Sequence, residues 1–306
     1  MTQQFTLLQH ASIAVSRFGC HNPRMRRIAL FSDVHGNLPA LDAVLADMAR
    51  SGFGEGSERY CLGDLIGYGP DPGGVVERVR ALGVPTIVGN YDDGVAAHRG
   101  QCGCYYGTEQ AKSDGEASYR VTERLLDERD AQWLLALPQH LWLEHEGAAI
   151  LLTHGSPRRL NEYLLLDRTE AQLARLAIEA GAHVVCHGHI HIPYHRSFDA
   201  AAAADVRLRG TSSLTPVEGR IHYVSSGSVG KPKDGDPRAC WVELALGDED
   251  EVREAAPDDA AAGPVGETEV WLAAVFHRAS YDVEQVARAM AAVGLPETLA
   301  EALRRA

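Results

Sequence analysis

Residues 26–37 read RRIALFSDVHGN, an apolar run that passes directly into a polar loop containing a glycine. The run at 27–32 has the length of a buried strand, and the polar residues at 33–37 end it. From Leu38 onward, apolar residues recur every three or four positions, which predicts a helix with one apolar face. The stretch therefore predicts a strand, a loop and a helix, the first half of a βαβ unit.

The alternation of strands and helices continues along the chain. Helices are predicted over 75–82 and 168–180, between short apolar runs, and this alternation is typical of parallel strands. Beyond residue 190 the apolar runs follow one another, which predicts antiparallel strands before a last helix over 283–293. The strands are predicted at 27–32, 59–62, 85–88, 148–153, 183–186, 192–198, 221–225, 239–246 and 269–277.

Three segments depart from this alternation. Residues 95–147 contain a glycine- and cysteine-rich stretch and then a helical pattern over 116–137, so we expect a small helical cap inserted into the domain. The alanine run at 200–204 and the acidic segment at 247–267 carry few structure signals. We expect both to be surface loops.

The N-terminal residues 1–25 show neither periodicity nor a basic start, so we expect a disordered extension before a domain over 26–306. Met25 stands directly before the first strand and is an alternative start of translation. No apolar run approaches the roughly 18 residues that span a bilayer, and no secretory signal is recognisable. Together with only six cysteines, these features predict a cytoplasmic protein with reduced thiols and no membrane partner.

The composition indicates a folded, acidic protein. Of 306 residues, 45% are hydrophobic and 23% are charged, which excludes a fibrous or disordered chain. Acidic residues number 42 against 29 basic ones, giving a net charge of −13. Such a surface is repelled by phosphate backbones, so we expect no broad nucleic-acid binding. Cys102 and Cys104 flank one glycine, a spacing that differs from that of zinc sites.

Five predicted strand ends each carry a side chain that can bind a metal ion. In open α/β sheets, ligands bind outside the carboxyl ends of the strands, so these five segments are expected to converge. The segments are Asp33-Val34-His35-Gly36-Asn37, Gly63-Asp64, Gly89-Asn90, His154-Gly155 and Gly188-His189-Ile190-His191.

The residue types restrict the chemistry of this site. Histidine nitrogens and carboxylate oxygens together suit Mn²⁺, Fe and Zn²⁺ rather than Ca²⁺. The five segments together offer seven such ligands, which are too many for one ion. If two ions shared one carboxylate, each ion would have four bonds to the protein. Two ions about 3.5–4 Å apart can clamp the attacking and leaving oxygens of a displacement at phosphorus.

In this order, the five motifs resemble those of the calcineurin-like metallophosphoesterase superfamily, over about residues 26–229. The resemblance implies a four-layer α/β/β/α sandwich and two divalent ions, Mn²⁺ ahead of Fe, Zn²⁺ or Ni²⁺. The run Gly227-Ser228-Val229-Gly230 resembles the small bacterial and archaeal phosphodiesterase branch. Carried over position by position, the resemblance implies Asp33, His35 and His191 on one ion, Asn90, His154 and His189 on the other, and Asp64 bridging them.

The activity implied is phosphoester hydrolysis by in-line attack of a metal-bridging hydroxide, with a phosphodiesterase expected. Many family phosphatases have a proton-donating histidine after the asparagine ligand, but this chain has Tyr91 there. A phenol, with a reference pKa of about 10, is a reluctant donor. Either Tyr91 acts with Asp92 as a poor acid, or the leaving group departs with little protonation, as an aryl group, a nucleotide or a cyclic ester oxygen does.

Two more side chains are candidates for binding the substrate. Asn37 either donates to a bound phosphate or shapes the turn after Gly36. Arg158 either binds phosphate through its guanidinium or is an exposed charge at the start of a helix. The expected partner is a small phosphoester, and both a nucleotide and a homo-oligomer stay open.

Two alternatives to this activity remain. A binding or scaffold protein with the same fold and weak or no catalysis belongs to a different class, but all seven ligand positions hold competent side chains, which favours an enzyme. A phosphomonoesterase or a protein serine/threonine phosphatase is the other alternative. The histidine missing at Tyr91 disfavours the protein phosphatase.

Overall fold

The computed structural model describes residues 25–203, 217–256 and 262–306. Except for Met25, the predicted N-terminal extension lies outside these residues. The strands are β1 (Arg26–Phe31), β2 (Arg59–Cys61), β3 (His140–His145), β4 (Ala148–Thr153), β5 (Val184–His187), β6 (Pro193–Asp199), β7 (Arg220–Ser226), β8 (Ala239–Gly247), β9 (Ala262–Pro264) and β10 (Trp271–Ala279).

The helices flank these strands along the chain. They are α1 (Leu38–Arg50), α2 (Pro72–Ala81), α3 (Asn90–Ala96), α4 (Glu109–Leu125), α5 (Glu128–Leu135), α6 (Glu170–Ala180), α7 (Glu249–Ala255), α8 (Val283–Ala292) and α9 (Glu297–Arg305).

Two five-stranded sheets form the centre of the fold. The first has the strand order β2-β1-β8-β10-β9 and the second β3-β4-β5-β7-β6. β1 is parallel to β2, and β5 is parallel to both β4 and β7, whereas the other neighbouring strands are antiparallel. The predicted βαβ start is therefore confirmed. The carboxyl ends of β1 and β2 share one sheet edge, and those of β4 and β5 share another.

Alternating side chains along the central strands divide the apolar core into layers. In β1, Ile28 and Leu30 pack between the two sheets, while Ala29 and Phe31 pack against α1 and α2. In the second sheet, Val185 of β5 faces α6, and its neighbours in the strand face the first sheet. Since each large buried apolar side chain contributes roughly 1.5–3 kcal/mol, these clusters hold four layers together. The predicted α/β/β/α sandwich is confirmed.

The first helix begins directly after the loop that follows β1. Asn37 accepts a hydrogen bond through Oδ1 from the Ala40 amide, 3.1 Å away, and so caps the N-terminus of α1. Pro39 lies in the first turn, where its missing N–H costs nothing. Leu41 and Met48 then bury the apolar face of the helix. The cap fixes where the preceding loop ends.

The predicted insertion at 95–147 has a more complex structure than one helix. The helical pattern over 116–137 forms two helices, α4 and α5, because the Asp127 side chain accepts from the Asp130 amide and begins a new helix. His140–His145 forms β3, which pairs with β4. The insertion thus contains two helices and an edge strand of the second sheet.

Two predicted loops contain regular structure in the part of the chain that is described. The acidic segment 247–267 includes α7 and β9, so a loop is the wrong prediction there. Asp248 starts α7 by accepting a hydrogen bond from a first-turn amide, and Val252 is fully buried. The alanine run predicted as a loop at 200–204 begins with a short 3₁₀ helix, Ala200–Ala203.

Two further elements differ from their predictions. The strand predicted over 85–88 is reduced to a single bridge between Cys61 and Thr86. The C-terminal helix α9, which the sequence pattern did not predict, packs against α8 through Leu299 and Leu303. Both differences arise from tertiary contacts that short sequence windows do not contain.

Leu30→Ala is expected to lower the free energy of unfolding by about 2–5 kcal/mol, because it leaves a cavity between the two sheets. Urea denaturation followed by circular dichroism measures this change. Leu165→Ala is the control, since Leu165 is 44% exposed and Leu30 is fully buried. Its effect is expected to stay within about 0.5 kcal/mol. Equal losses in the two variants would contradict the packing described for β1.

Candidate metal centre

Seven polar side chains meet where the carboxyl ends of β1, β2, β4 and β5 approach the start of α3. Each follows a strand or opens a helix, and each is at most 3% exposed. Burying so many polar groups costs free energy unless each finds a partner. They are the seven predicted ligands Asp33, His35, Asp64, Asn90, His154, His189 and His191.

The backbone at this centre is unusual. Five of the seven residues have a positive φ between +49° and +68°, although none is a glycine. Such conformations cost about 1–3 kcal/mol each and persist only where the surroundings impose them. Their concentration at one place indicates a functional site. The five residues are Asp33, His35, Asp64, His189 and His191.

One glycine contact lets two of the loops approach closely. Gly63 has φ +91°, and a Cβ there would lie 2.6 Å from the backbone nitrogen of Gly89. A side chain at Gly63 would therefore push the Asp64 loop away from the loop that carries Asn90. The glycines in these two motifs keep the second group of ligands together.

The first group of donor atoms comes from Asp33, His35 and His191. Their ligand atoms lie within 4.8 Å of one another. The two Nε2 atoms of His35 and His191 are 3.2 Å apart, and Asp33 Oδ1 is 3.2 Å from His191 Nε2. This group has the donor types and spacing of one metal site.

The second group contains Asp64, His154 and His189, again within 4.8 Å. Asn90 joins it, because its Oδ1 is 3.0 Å from His154 Nε2. Asp64 Oδ2 lies 3.4 Å from His154 Nε2 and 3.8 Å from His35 Nε2. The Asp64 carboxylate therefore faces both groups.

Backbone carbonyls orient three of the imidazoles. The Nδ1 atoms of His35, His154 and His191 donate to the carbonyls of Ile66, Leu62 and Lys231 at 2.9, 2.8 and 2.5 Å. With the proton on Nδ1, each Nε2 presents a lone pair to the centre. A hydrogen bond from the other ring nitrogen to a carbonyl is typical of metal-binding histidines.

The centre fits a cation better than it fits an uncharged pocket. The lone pairs of His35 and His191 face each other at 3.2 Å, an arrangement that is repulsive unless a positive charge lies between them. His189 Nε2 is buried without a hydrogen-bond partner among the described residues. An orphaned buried nitrogen is explained if it binds a metal ion. The residues therefore fit two divalent ions, and nitrogen with oxygen donors suits Mn²⁺, Fe and Zn²⁺.

The protonation states agree with this fit for three histidines. Burial, followed by the charge of His191, lowers the pKa of His35 to about 3. Burial also lowers the pKa values of His189 and His191 well below the usual value. Neutral imidazole is the form that binds metal. At His154, burial is the largest single effect and opposes protonation, but the charges of Asp64 and Asp33 and the hydrogen bonds to His154 together outweigh it and raise the pKa to about 9.

The Tyr91 ring lies edge-on to His35, with centroids 5.7 Å apart, but its hydroxyl is directed away from the ligands. Its ring is fully buried, and its hydroxyl donates to the Gly115 carbonyl at 3.3 Å and lies 3.4 Å from Ser118 Oγ. Burial raises the pKa of Tyr91 well above 10. The hydroxyl thus contacts α4, and this geometry does not fit the proton donor expected from the sequence.

Asp92 is also engaged by the protein itself. Its Oδ1 accepts from the Leu65 and Ile66 amides at 2.9 and 3.2 Å, and its Oδ2 accepts from the Gly89 amide at 2.9 Å. Burial and the charge of Asp64 raise the pKa of Asp92 to about 7. With both oxygens bound by backbone amides, Asp92 joins the two ligand loops and does not fit the role of a proton donor.

The two predicted substrate-binding side chains are committed elsewhere as well. Asn37 caps α1 and donates through Nδ2 to the Gly230 carbonyl at 3.2 Å, which supports the turn-shaping alternative. Arg158 forms two hydrogen bonds with Glu162, at 2.8 and 2.6 Å. This pairing lowers the pKa of Glu162 to about 2. The Asn37 side chain is fully used by these bonds, whereas Arg158 is held by Glu162 through Nε and one of its two terminal nitrogens.

The cysteines depart from the expected thiols at one place. Cys102 and Cys104 are joined by a disulfide, whereas Cys61, Cys186 and Cys240 are free and buried. Asn90 Nδ2 donates to the Cys102 carbonyl at 2.9 Å and lies 3.2 Å from Cys104 Sγ. The Cys102–Cys104 turn therefore aims the amide oxygen of Asn90 at His154.

Sequence reasoning overlooked three residues around the centre. Tyr163 packs on His189 with ring centroids 4.0 Å apart, and Tyr68 contacts His35 edge-on at 5.0 Å. Lys231 supplies the carbonyl that orients His191. The only signal for them was proximity to the motifs, since Lys231 directly follows Gly230.

Comparisons with known proteins agree with this geometry. A profile of the calcineurin-like phosphoesterase superfamily domain matches residues 25–247. The uncharacterized protein MJ0912 of Methanocaldococcus jannaschii is 28% identical over 216 residues, which cover 70% of this chain and 80% of that protein.

Two solved structures share the fold over most of their length. The metallophosphoesterase of Sphaerobacter thermophilus is 28% identical with a TM-score of 0.61, covering 92% of this chain and 99% of that one. The hypothetical protein PH1004 of Pyrococcus horikoshii is 20% identical with a TM-score of 0.63, covering 90% and 97%.

The chain belongs to the calcineurin-like phosphoesterase superfamily. It is therefore a phosphoesterase, a hydrolase with a metal-binding centre, that acts on phosphoester substrates. Among the described residues, no helix combines the length and apolar character needed to cross a membrane.

Tyr91→Phe is expected to change the rate of phosphoester hydrolysis by less than about threefold, because the hydroxyl contacts α4 and not the ligands. A general acid contributes about 10²–10⁴-fold, so the two roles are readily separated. Steady-state hydrolysis of glycerol phosphate measures the effect, because its alkoxide leaving group needs a proton, whereas p-nitrophenolate departs without one. Tyr105→Phe serves as the control, since Tyr105 is 80% exposed. A hundredfold loss confined to Tyr91→Phe would restore the proton-donor role.

Proposed function

We propose that the protein is a binuclear-metal phosphodiesterase. The observation that carries this proposal is the position of Asp64 Oδ2, which faces one imidazole of each ligand group, at 3.4 Å from His154 and 3.8 Å from His35. A carboxylate so placed is suited to bridging two ions. In the proposed assignment, Asp33, His35 and His191 hold one ion, and Asn90, His154 and His189 hold the other.

Two divalent ions bound there would supply Lewis acidity to the phosphoryl oxygens and activate water for attack at phosphorus. The protein's contribution is to fix the geometry. Carbonyls hold the imidazoles, the Asp92 carboxylate joins the Asp64 and Asn90 loops, and the Asp33 carboxylate accepts from the His189 amide at 3.0 Å. Metal ligands held in place in this way need no rearrangement as charge develops during the reaction. Among the metals that suit this donor set, we favour Mn²⁺.

The preference for a diester rests on the missing proton donor. Tyr91 stands after Asn90, and its hydroxyl is buried against α4. Without the histidine at position 91, substrates whose leaving group departs with little protonation are favoured. Aryl diesters, and substrates whose leaving group is itself a nucleotide phosphate, meet this requirement, and alkyl monoesters do not.

We expect purified protein with two bound metals to hydrolyse bis(p-nitrophenyl) phosphate faster than glycerol phosphate. The measurement is kcat/KM for both substrates across a phosphoester panel, with each divalent metal in turn. A preference for glycerol phosphate would overturn the diester proposal. Two bound metals with no turnover of any ester would favour the binding protein instead.

Asp64→Asn is expected to lower both the bound metal and the activity, because the amide loses the charge that both groups share. Metal content by mass spectrometry and kcat on the diester are measured together. Asp42→Asn is the matched control, since Asp42 lies on α1 and pairs with Arg78 at the surface. Two metals and full activity in Asp64→Asn would refute the bridging role.

A further inference from the structure

Lysine is almost absent from this chain. Of 29 basic residues only three are lysine, namely Lys112, Lys231 and Lys233. Two of the three are separated by a single proline in the loop between β7 and β8. The composition of this loop therefore differs from that of the rest of the chain. A lysine ammonium is a compact charge with three hydrogen-bond donors, unlike the planar guanidinium of arginine.

The loop that carries these lysines is bound to the metal centre through its backbone. The Gly230 amide donates to the Asp33 carbonyl at 2.9 Å, and the Lys231 carbonyl accepts from His191 Nδ1. The Lys233 amide donates to the His191 carbonyl at 3.3 Å. The loop is thus anchored to two residues of the first ligand group.

The Lys231 side chain stays close to that group. Its Nζ lies over the Tyr68 ring, 4.2 Å from the centroid, and the same ring contacts His35 edge-on at 5.0 Å. Cation–π contact holds an ammonium in place without neutralising it. Lys231 therefore brings its ammonium group to the edge of the ligand cluster.

The carboxylates in the same loop form ion pairs with arginines and not with the lysines. Asp234 pairs with Arg278, and Asp236 pairs with Arg238. Neither Lys231 nor Lys233 forms an ion pair with any carboxylate in the described ranges, 25–203, 217–256 and 262–306. The two lysines are therefore not held by a direct ion pair and can bind an external anion.

We propose that Lys231 and Lys233 form an anion subsite beside the metal centre and bind the phosphate oxygens of the substrate. The proposal rests on the proposed function and names the residues that would recognise the substrate's negative charge. The phosphate is either the scissile group or a neighbouring one on the same substrate.

The double variant Lys231→Gln/Lys233→Gln tests the subsite in the metal-loaded protein. We expect KM for bis(p-nitrophenyl) phosphate and the inhibition constant of inorganic phosphate to rise about tenfold or more, with two metals still bound. Lys231→Arg/Lys233→Arg should recover most of the loss. Arg253→Gln removes the same charge from the surface of α7 and should change neither value. If the inhibition constant and the KM values for both bis(p-nitrophenyl) phosphate and a dinucleoside polyphosphate are unchanged in the glutamine variant, the subsite is wrong.

A second measurement does not depend on turnover. Acetylation of wild-type protein, followed by mass spectrometry, is expected to slow at Lys231 and Lys233 when inorganic phosphate is added, but not at Lys112. Equal rates with and without phosphate would overturn the subsite. Protection without hydrolysis of any ester would keep the subsite and refute the proposed activity, so the two failures are distinguishable.

The substrate series separates the two sources of phosphate. A raised KM for bis(p-nitrophenyl) phosphate, which has one phosphate, assigns the lysines to the scissile group. A loss seen only with dinucleoside polyphosphates assigns them to a neighbouring phosphate. Both results support the subsite, whereas unchanged constants for both substrates contradict it.

Discussion

The Asp64 carboxylate connects the two halves of the site through its two oxygens. Oδ1 accepts from the Tyr91 amide at 2.8 Å and so fixes the first turn of α3, which carries Asn90. Oδ2 faces His154 of one group and His35 of the other. Because β2 places Asp64 between these loops, the register of one short strand determines the geometry of both ligand groups.

This geometry requires backbone conformations of high free energy, which are stable only because the surrounding fold holds them. Asp33, Asp64 and His189 lie in left-handed conformations directly after buried strands or close to them. Strain of about 1–3 kcal/mol at each position can be sustained only by rigid flanking structure. The sheets supply that rigidity, since β1 and β5 are packed on both faces. Rigid strands and strained loops are therefore parts of one arrangement.

The sequence predicted the strand–helix alternation and the convergence of the motifs because both depend on local patterns, whereas the four layers were implied by the resemblance to a family. Apolar runs locate strands, and a polar motif after each run locates a strand end. The directions of individual side chains were not predicted. The hydroxyl of Tyr91 lies against α4, and Asp92 turns to three amides from two loops. Those directions follow from packing between segments distant in sequence, as does the pairing of β3 with β4.

The net charge of the chain is negative, whereas the local charge at the metal-loaded site would be positive. The whole chain carries −13, which repels extended polyanions at a distance. Within the site, two divalent ions would outweigh the carboxylates of Asp33 and Asp64, and Lys231 adds an ammonium group that forms no ion pair among the described residues. Screening limits the long-range repulsion to roughly 10 Å at moderate salt. A small phosphoester can therefore approach through solvent and gain the local attraction, whereas a nucleic acid held against the acidic surface cannot avoid the repulsion.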